Sequence, residues 1–189
     1  MKLTLFQVVG YGASCDADHI TAGLPDGSGA MLAILGAMRN VIPLPEISDE
    51  LWLVNAHATS TPRGDKAELQ ALKKFLHLLR NELRSWNVKV PAKGPLVTAN
   101  KGNLGHMISA SGSIETALTC LSLHSGTVPG ILNLDKIEEE SEIETEIQLL
   151  KQSILDENTC SRTRRLALKN SFGFGGTNAS VILAEYKKI

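Results

Sequence analysis

The chain has 189 residues, 43% hydrophobic and 21% charged, a length and balance that suit a globular unit able to bury about 70% of its unfolded surface. Nineteen basic against twenty acidic side chains leave a formal charge of -1, which supplies no global attraction to nucleic acid, and the longest apolar runs fall well short of a membrane span. Three cysteines, Cys15, Cys120 and Cys160, form neither a disulfide framework nor a paired zinc motif, which fits a reducing compartment.

The opening MKLTLFQVVGYG shows no targeting segment, which makes the cytosol the default location. Leu3 to Tyr11 reads as a buried strand that runs into a glycine-rich bend at Gly10 and Gly12. A helix follows over Asp26 to Asn40, with Met31, Leu32, Leu35 and Met38 at helical spacing, and Pro43 and Pro45 stop it. Trp52 to Ala56 is a second short strand. The tract HATSTPRGD, His57 to Asp65, is rich in turn formers and reads as a loop, with Asp65 placed to cap a helix beginning near Lys66.

Leu69, Leu72, Leu76, Leu79, Leu83 and Trp86 recur at separations of three and four, so this helix is amphipathic with one packed stripe. Pro95 to Ala99 reads as a strand, KGNLGH as a turn, and Ser109 to His124 as a helix exposing Ile114, Ala117, Leu118 and Leu121 on one side. Between Ile137 and Glu157 stand eight acidic residues and one lysine. Ile143, Ile147, Leu150, Ile154 and Leu155 there fit a solvated helix with one packed face, with Arg162, Arg164, Arg165 and Lys169 following to balance its charge. Leu166 to Leu168 and Val181 to Leu183 read as short strands joined by NSFGFGGTNA, whose glycines permit a tight turn.

Two histidines, His57 and His106, each stand where a strand gives way to a loop, the place at which α/β folds set polar groups beyond their strand ends. Two imidazoles facing one site can polarise a carbonyl whose oxygen gains charge during reaction; the same loops also suit structural or exposed histidines. Lys101 and Glu115 flank His106 and fit either an orienting pair or a surface salt bridge worth about 0 to 1 kcal/mol. Phe172 to Asn178 sets aromatic side chains beside small residues, a pattern open to a plain hairpin or to backbone donors for an oxyanion.

HATSTPRGD at 57 to 65, KGNLGHMISASG at 101 to 112 and NSFGFGGTNA at 170 to 179 together resemble the motifs of the β-ketoacyl-acyl-carrier-protein synthases, condensing enzymes of the thiolase superfamily. The similarity extends to GYGASCDADHI at 10 to 20 and VPGILNL at 128 to 134. It implies an α/β, thiolase-like fold, with residues 1 to 189 as a single domain matching the C-terminal half of the duplicated αβαβα layers, and with a divergent charged segment at 138 to 165. Ala58 stands where the usual motif has Gly, a form closer to mitochondrial synthases, so a mitochondrial location is the alternative to the cytosol.

By this resemblance His57 and His106 would bind the malonyl thioester carbonyl, assist decarboxylation and stabilise the enolate. Lys101 would support that site with Glu115 as its acidic partner. Thr59 and Thr61 would hold the pantetheine arm, Phe172 would line the substrate path, and Phe174 would be the gatekeeping aromatic whose backbone N–H joins the oxyanion hole. Asp65 and Asn178 would order their loops. Family members carry a nucleophilic cysteine in a first half that this chain does not resemble, and none of its three cysteines falls in that motif.

Expected partners are therefore an acyl carrier protein and a nucleophile-bearing N-terminal half or full synthase subunit, with a homo-oligomer also open, and with neither nucleic acid nor membrane. No metal or redox cofactor is implied, and phosphopantetheine enters only as the substrate-bearing arm. The expected activity is condensation of malonyl carrier protein with an acyl thioester in fatty acid biosynthesis, as part of an acyltransferase. The alternatives are a noncatalytic carrier-binding or synthase-binding subunit and a malonyl-thioester decarboxylase.

Overall fold

The computed structural model describes residues 6–39, 41, 51–87, 90, 93–136, 147–156 and 164–186. In chain order these form β1 (Phe6–Cys15), α1 (Ser28–Arg39), β2 (Leu51–Asn55), α2 (Pro62–Ser85), β3 (Leu96–Thr98) and α3 (Lys101–Leu104). Then come α4 (Ser111–Ser125), β4 (Thr127–Val128), β5 (Gln148–Leu149), β6 (Ile154–Leu155), β7 (Leu166–Gly173) and β8 (Thr177–Glu185). Six strands make one sheet in the order β1-β8-β7-β2-β3-β5, and β4 pairs with β6 apart from it. Strands β7, β2, β3 and β5 run parallel, while β8 is antiparallel to both its neighbours.

Alternation of side chains along the strands divides the core into two layers. On one face Leu166 and Leu168 of β7, Ile182 and Ala184 of β8, and Val54 of β2 pack against Ile34, Ala37 and Met38 of α1 and Leu72, Phe75 and Leu76 of α2. On the other, Ala167, Leu183 and Leu53 pack against Cys120 and Leu123 of α4. The thiolase-like layering expected from the motifs is thus present as helices, sheet and one further helix. On the outer side of α4, Ile114 and Leu121 are exposed as the sequence suggested.

The α2 stripe is buried at Leu72, Leu76 and Leu83, but Trp86 lies past the helix end and is 43% exposed. Helix α2 also starts earlier than expected, at Pro62, because proline suits the first helical position and Thr61 precedes it as the N-cap. Asp65 sits inside the first turn and not before it. KGNLGH is a short helix over its first four residues, and the β7-β8 hairpin is much longer than the two apolar triplets, turning only at Phe174–Gly176.

The largest departures concern β1 and the acidic tract. Strand β1 is an edge strand, with Val8 and Tyr11 63% and 58% exposed. Its buried positions are Gly10 and Gly12, because α1 lies against them: a Cβ on Gly12 would stand 2.0 Å from the Ala33 carbonyl oxygen. In the tract, residues 137–146, with Ile143, lie outside the described residues, as do Asn40, Pro43, Pro45, Cys160 and Arg162. The described part, 147–156, holds short strands and no helix, since Gln148 N–H and Leu150 N–H bond to the carbonyls of Pro95 and Val97 at the sheet edge. Among the described residues, three basic side chains after it make contacts elsewhere in the fold. Arg164 bonds Gln7, Arg165 pairs with Glu185 and stacks on Trp52, and Lys169 pairs with Glu115.

Gly12→Val should cost about 2 to 3 kcal/mol, because backbone must move to admit the side chain. Urea unfolding of the variant should show a lowered midpoint at unchanged slope.

Candidate active site

Strands β2, β3 and β7 are parallel, so their C-terminal ends share one edge of the sheet, and that edge gathers the motif residues. His57 follows β2 by two residues, His106 follows α3 beyond the end of β3, and Phe172 is the last residue but one of β7. The imidazoles of His57 and His106 meet edge to face with centroids 5.5 Å apart, and His57 meets the ring of Phe172 at 5.6 Å. Phe174, two residues on, is 79% exposed. The motif residues sharing this edge are thus brought together, with Phe174 standing out on the turn.

The His106 ring is oriented by its own loop. Ile108 N–H donates to Nδ1 at 3.1 Å, and Ser111 Oγ lies 2.9 Å from the same nitrogen. A neutral imidazole that accepts at Nδ1 carries its proton at Nε2, so the ring presents an N–H from its far side. Ile108 holds φ +51° to make this contact, a conformation that a β-branched residue adopts only under constraint.

His57 is held through its backbone. Its N–H and that of Ala58 donate to the two carboxylate oxygens of Glu68, each at 2.9 Å, and its carbonyl accepts from Lys101 Nζ. Lys101 is itself 2.6 Å from Glu115 Oε1, and Glu115 Oε2 is 2.8 Å from Lys169 Nζ, with all three side chains buried. The Lys101 and Glu115 pair is therefore an interior contact and not a surface salt bridge. Glu115 is placed by Asn55, whose amide donates to the Glu115 carbonyl, to Thr119 Oγ1 and to Asn100 Oδ1, tying α4 to the ends of β2 and β3.

Burial, reinforced by the positive charges of Lys101 and Lys169 and by His106, pulls the His57 imidazole down to about 3. It is thus a neutral hydrogen-bonding group at physiological pH. Burial likewise pushes the Asp65 carboxyl up, with Glu68 adding to it and the backbone N–H groups of Thr61, Ser60 and Thr59 opposing it. These bonds give Asp65 the loop-ordering role expected of it. Thr59 and Thr61 face each other at 3.1 Å between their hydroxyls.

Asn178 donates to Asp16 Oδ1 at 2.7 Å, Asp16 Oδ2 accepts from Leu24 N–H, and Gly175 N–H donates to the Ile20 carbonyl. The turn bearing Phe174 is therefore pinned to residues 16–24. Positive φ at Gly175 and Gly176, +81° and +73°, makes that turn possible. Cys15 is exposed and lies 3.5 Å from the Gly175 carbonyl, whereas Cys120 is buried in α4 with its thiol pushed up by burial. Sequence reading passed over Asp16, Asn55, Glu68, Asn100, Ser111 and Asn170. Only the pattern of polar residues within otherwise apolar strands, as at Asn55 and Asn170, could have pointed to any of them.

A layered α/β fold with paired histidines at the strand ends is that of a C-terminal domain of the thiolase-superfamily ketosynthases. The chain belongs to the β-ketoacyl synthase family: residues 5–135 match the model described as "Beta-ketoacyl synthase, C-terminal domain". It is 36% identical to a 3-oxoacyl-[acyl-carrier-protein] synthase 2 of Vibrio cholerae over 93% of this chain and 37% of that protein. It is also 36% identical to a 3-oxoacyl-[acyl-carrier-protein] synthase homolog of Saccharomyces cerevisiae, over 96% of this chain and 38% of that one. A ketosynthase from Xenorhabdus doucetiae, solved in complex with its chain length factor, superposes with a TM-score of 0.73 at 26% identity, covering 98% of this chain and 40% of its own. The chain thus spans little more than a third of the length of these curated relatives.

Two outcomes follow from the His57 loop. Ala58 holds φ +33°, where a Cβ is disfavoured, so Ala58→Gly should raise stability by up to about 1 kcal/mol in urea unfolding. The folded His57 takes up its proton only near pH 3, whereas an unfolded imidazole does so near 6.5. The unfolded state therefore binds more protons in that window, and stability falls as pH drops from 6.5 towards 3. Thermal midpoints of His57→Asn should fall less steeply across this window than those of the native chain.

Proposed function

We propose that this chain supplies the carbonyl-polarising part of a β-ketoacyl synthase site that condenses malonyl carrier protein with an acyl thioester in fatty acid biosynthesis. The observation that carries the reading is the pair of imidazoles 5.5 Å apart at the ends of β2 and β3. Two N–H donors flanking one thioester oxygen would stabilise it as charge develops. The malonyl C–C bond to the carboxylate then breaks, carbon dioxide leaves, and the electron pair passes into an enolate whose oxygen rests between the two rings. That enolate carbon attacks an acyl thioester, forming the new C–C bond and expelling a cysteine thiolate.

His57 stays uncharged because burial and the neighbouring ammonium groups disfavour its imidazolium. It therefore binds the oxygen as a donor without a proton needing to move at that step. Thr59 and Thr61, on the loop between His57 and α2, would meet the pantetheine arm of the carrier. Phe172 packs on His57, and Phe174 on its glycine turn would stand at the acyl side. The names of the curated relatives, which specify acyl-carrier-protein synthases, support the carrier as substrate. The ketosynthase solved in complex with its chain length factor supports a protein partner for this fold. The acyl-bearing cysteine comes, in this reading, from outside these 189 residues.

With malonyl carrier protein as substrate, His57→Ala and His106→Ala should each reduce carbon dioxide release at least about 100-fold while circular dichroism stays native. Release should require no acyl donor, whereas C–C bond formation should require the cysteine-bearing chain. Carrier binding with no release under either condition would select the noncatalytic subunit instead.

A further inference from the structure

Lys169 lies outside the motifs that define the family resemblance, yet it is 2% exposed in the middle of β7. A buried lysine is costly unless its charge is matched, and here burial does push its ammonium towards deprotonation while Glu115 opposes it. Its alternation along β7 turns it, with Ser171, to the α4 side of the sheet, whereas Asn170 faces α2. Its Nζ reaches Glu115 Oε2 at 2.8 Å, the Asn170 carbonyl and, at 3.3 Å, Ser171 Oγ.

These contacts complete a circuit. From the His57 N–H the path runs to Glu68 Oε1, which also accepts from the Asn170 amide at 3.1 Å. Through Asn170 it continues to Lys169, across Glu115 to Lys101, and from Lys101 back to the His57 carbonyl. Two ammonium groups and two carboxylates stand on it, so the formal charges sum to zero. Remove Lys169 and two carboxylates remain against one lysine, with Glu115 Oε2 left without its cation.

We propose that Lys169 is a positioning residue of the histidine site: it closes the polar ring that fixes the His57 peptide and brings the buried charge of that ring to zero. The inference rests on the proposed role of His57 for its functional meaning, but not for its test. Around His57 stand Glu68 on α2 with Asp65 a turn earlier, Lys101 on α3, His106 on the following loop, Glu115 on α4 and Lys169 on β7. Loss of the Lys169 charge leaves this set more negative, which favours the imidazolium and narrows from below the pH range over which His57 is the neutral donor that carbonyl binding uses.

The test is an NMR titration of the His57 ring in the full 189-residue chain, with no ligand added. Lys169→Met should raise the His57 midpoint by about one unit or more, and Lys169→Arg should return it to within about 0.3 unit of the native value. A folded Lys169→Met chain whose His57 titrates as in the native protein overturns the proposal. Should that variant fail to fold, Lys169→Met combined with Glu68→Gln removes one charge of each sign. A His57 midpoint within about 0.5 unit of native then supports the charge balance, and a larger shift overturns it. In wild-type and Lys169→Arg chains, carbon dioxide release from malonyl carrier protein reports on the enzymatic reading alone. Its absence beside an intact His57 shift in Lys169→Met sinks that reading and leaves the role of Lys169 standing.

Discussion

The carboxylate of Glu115, buried and shared by two lysines, is the contact on which the remainder of the site depends. It sits on α4, yet its partners come from α3 and from β7, so a single side chain ties the helix on one face of the sheet to two elements of the motif edge. Removing one member of such an ionic group would leave an uncompensated interior charge, at a cost of about 3 to 5 kcal/mol. Hydrophobic packing between α4 and the sheet, at Cys120 and Leu123, can hold that helix in place. It cannot set which turn of the helix faces His57. The ion pairs, with Asn55 bonding the Glu115 carbonyl, supply that register.

The two cores have different parts in this arrangement. The layer beneath α1 and α2 is apolar through its middle, and at its edge Glu68, bonded to Asn170, reaches up to bind the backbone of His57 and Ala58. The layer beneath α4 is smaller and gives way to Asn55, Thr119, Glu115 and Lys169 towards the strand ends. Stability and chemistry are thereby separated along the strands: apolar at one end, ionic and hydrogen-bonded at the other. The histidines inherit a fixed frame from the ionic end, and His57 remains neutral because that frame is both buried and cationic at Lys101 and Lys169.

Most of this layering is written in local pattern. The three-and-four spacing from Leu69 to Leu83 could hardly be anything but α2, and the loops after β2 and β3 were visible from their turn formers. Patterns failed where an interior position is polar or where an apolar one has no side chain. Lys169, Asn170 and Ser180 interrupt β7 and β8 because they build the network, so only the flanking triplets looked like strands. In β1 the buried positions are Gly10 and Gly12 while Val8 and Tyr11 face outward, which inverts the usual reading of apolar residues. Ile147 and Leu150, three apart, suit one face of a helix. In the fold they enter opposite cores, because an odd separation along an extended chain puts side chains on opposite faces.

The site also joins fixed and adjustable parts, and backbone strain marks the boundary between them. Ala58 and Ile108 each hold positive φ beside a histidine, conformations that persist only where surrounding contacts over-determine them. For Ala58 the determining contact is Glu68, and for Ile108 it is the His106 ring that its own N–H orients. Phe174 differs: it projects from a glycine turn whose conformation is permitted without strain, anchored by Asp16 and Ile20 and not by the ionic ring. The donors are thus set by constraint while the exposed aromatic is set by a turn. A side chain on such a turn can change its position without disturbing the ionic ring that fixes the His57 peptide.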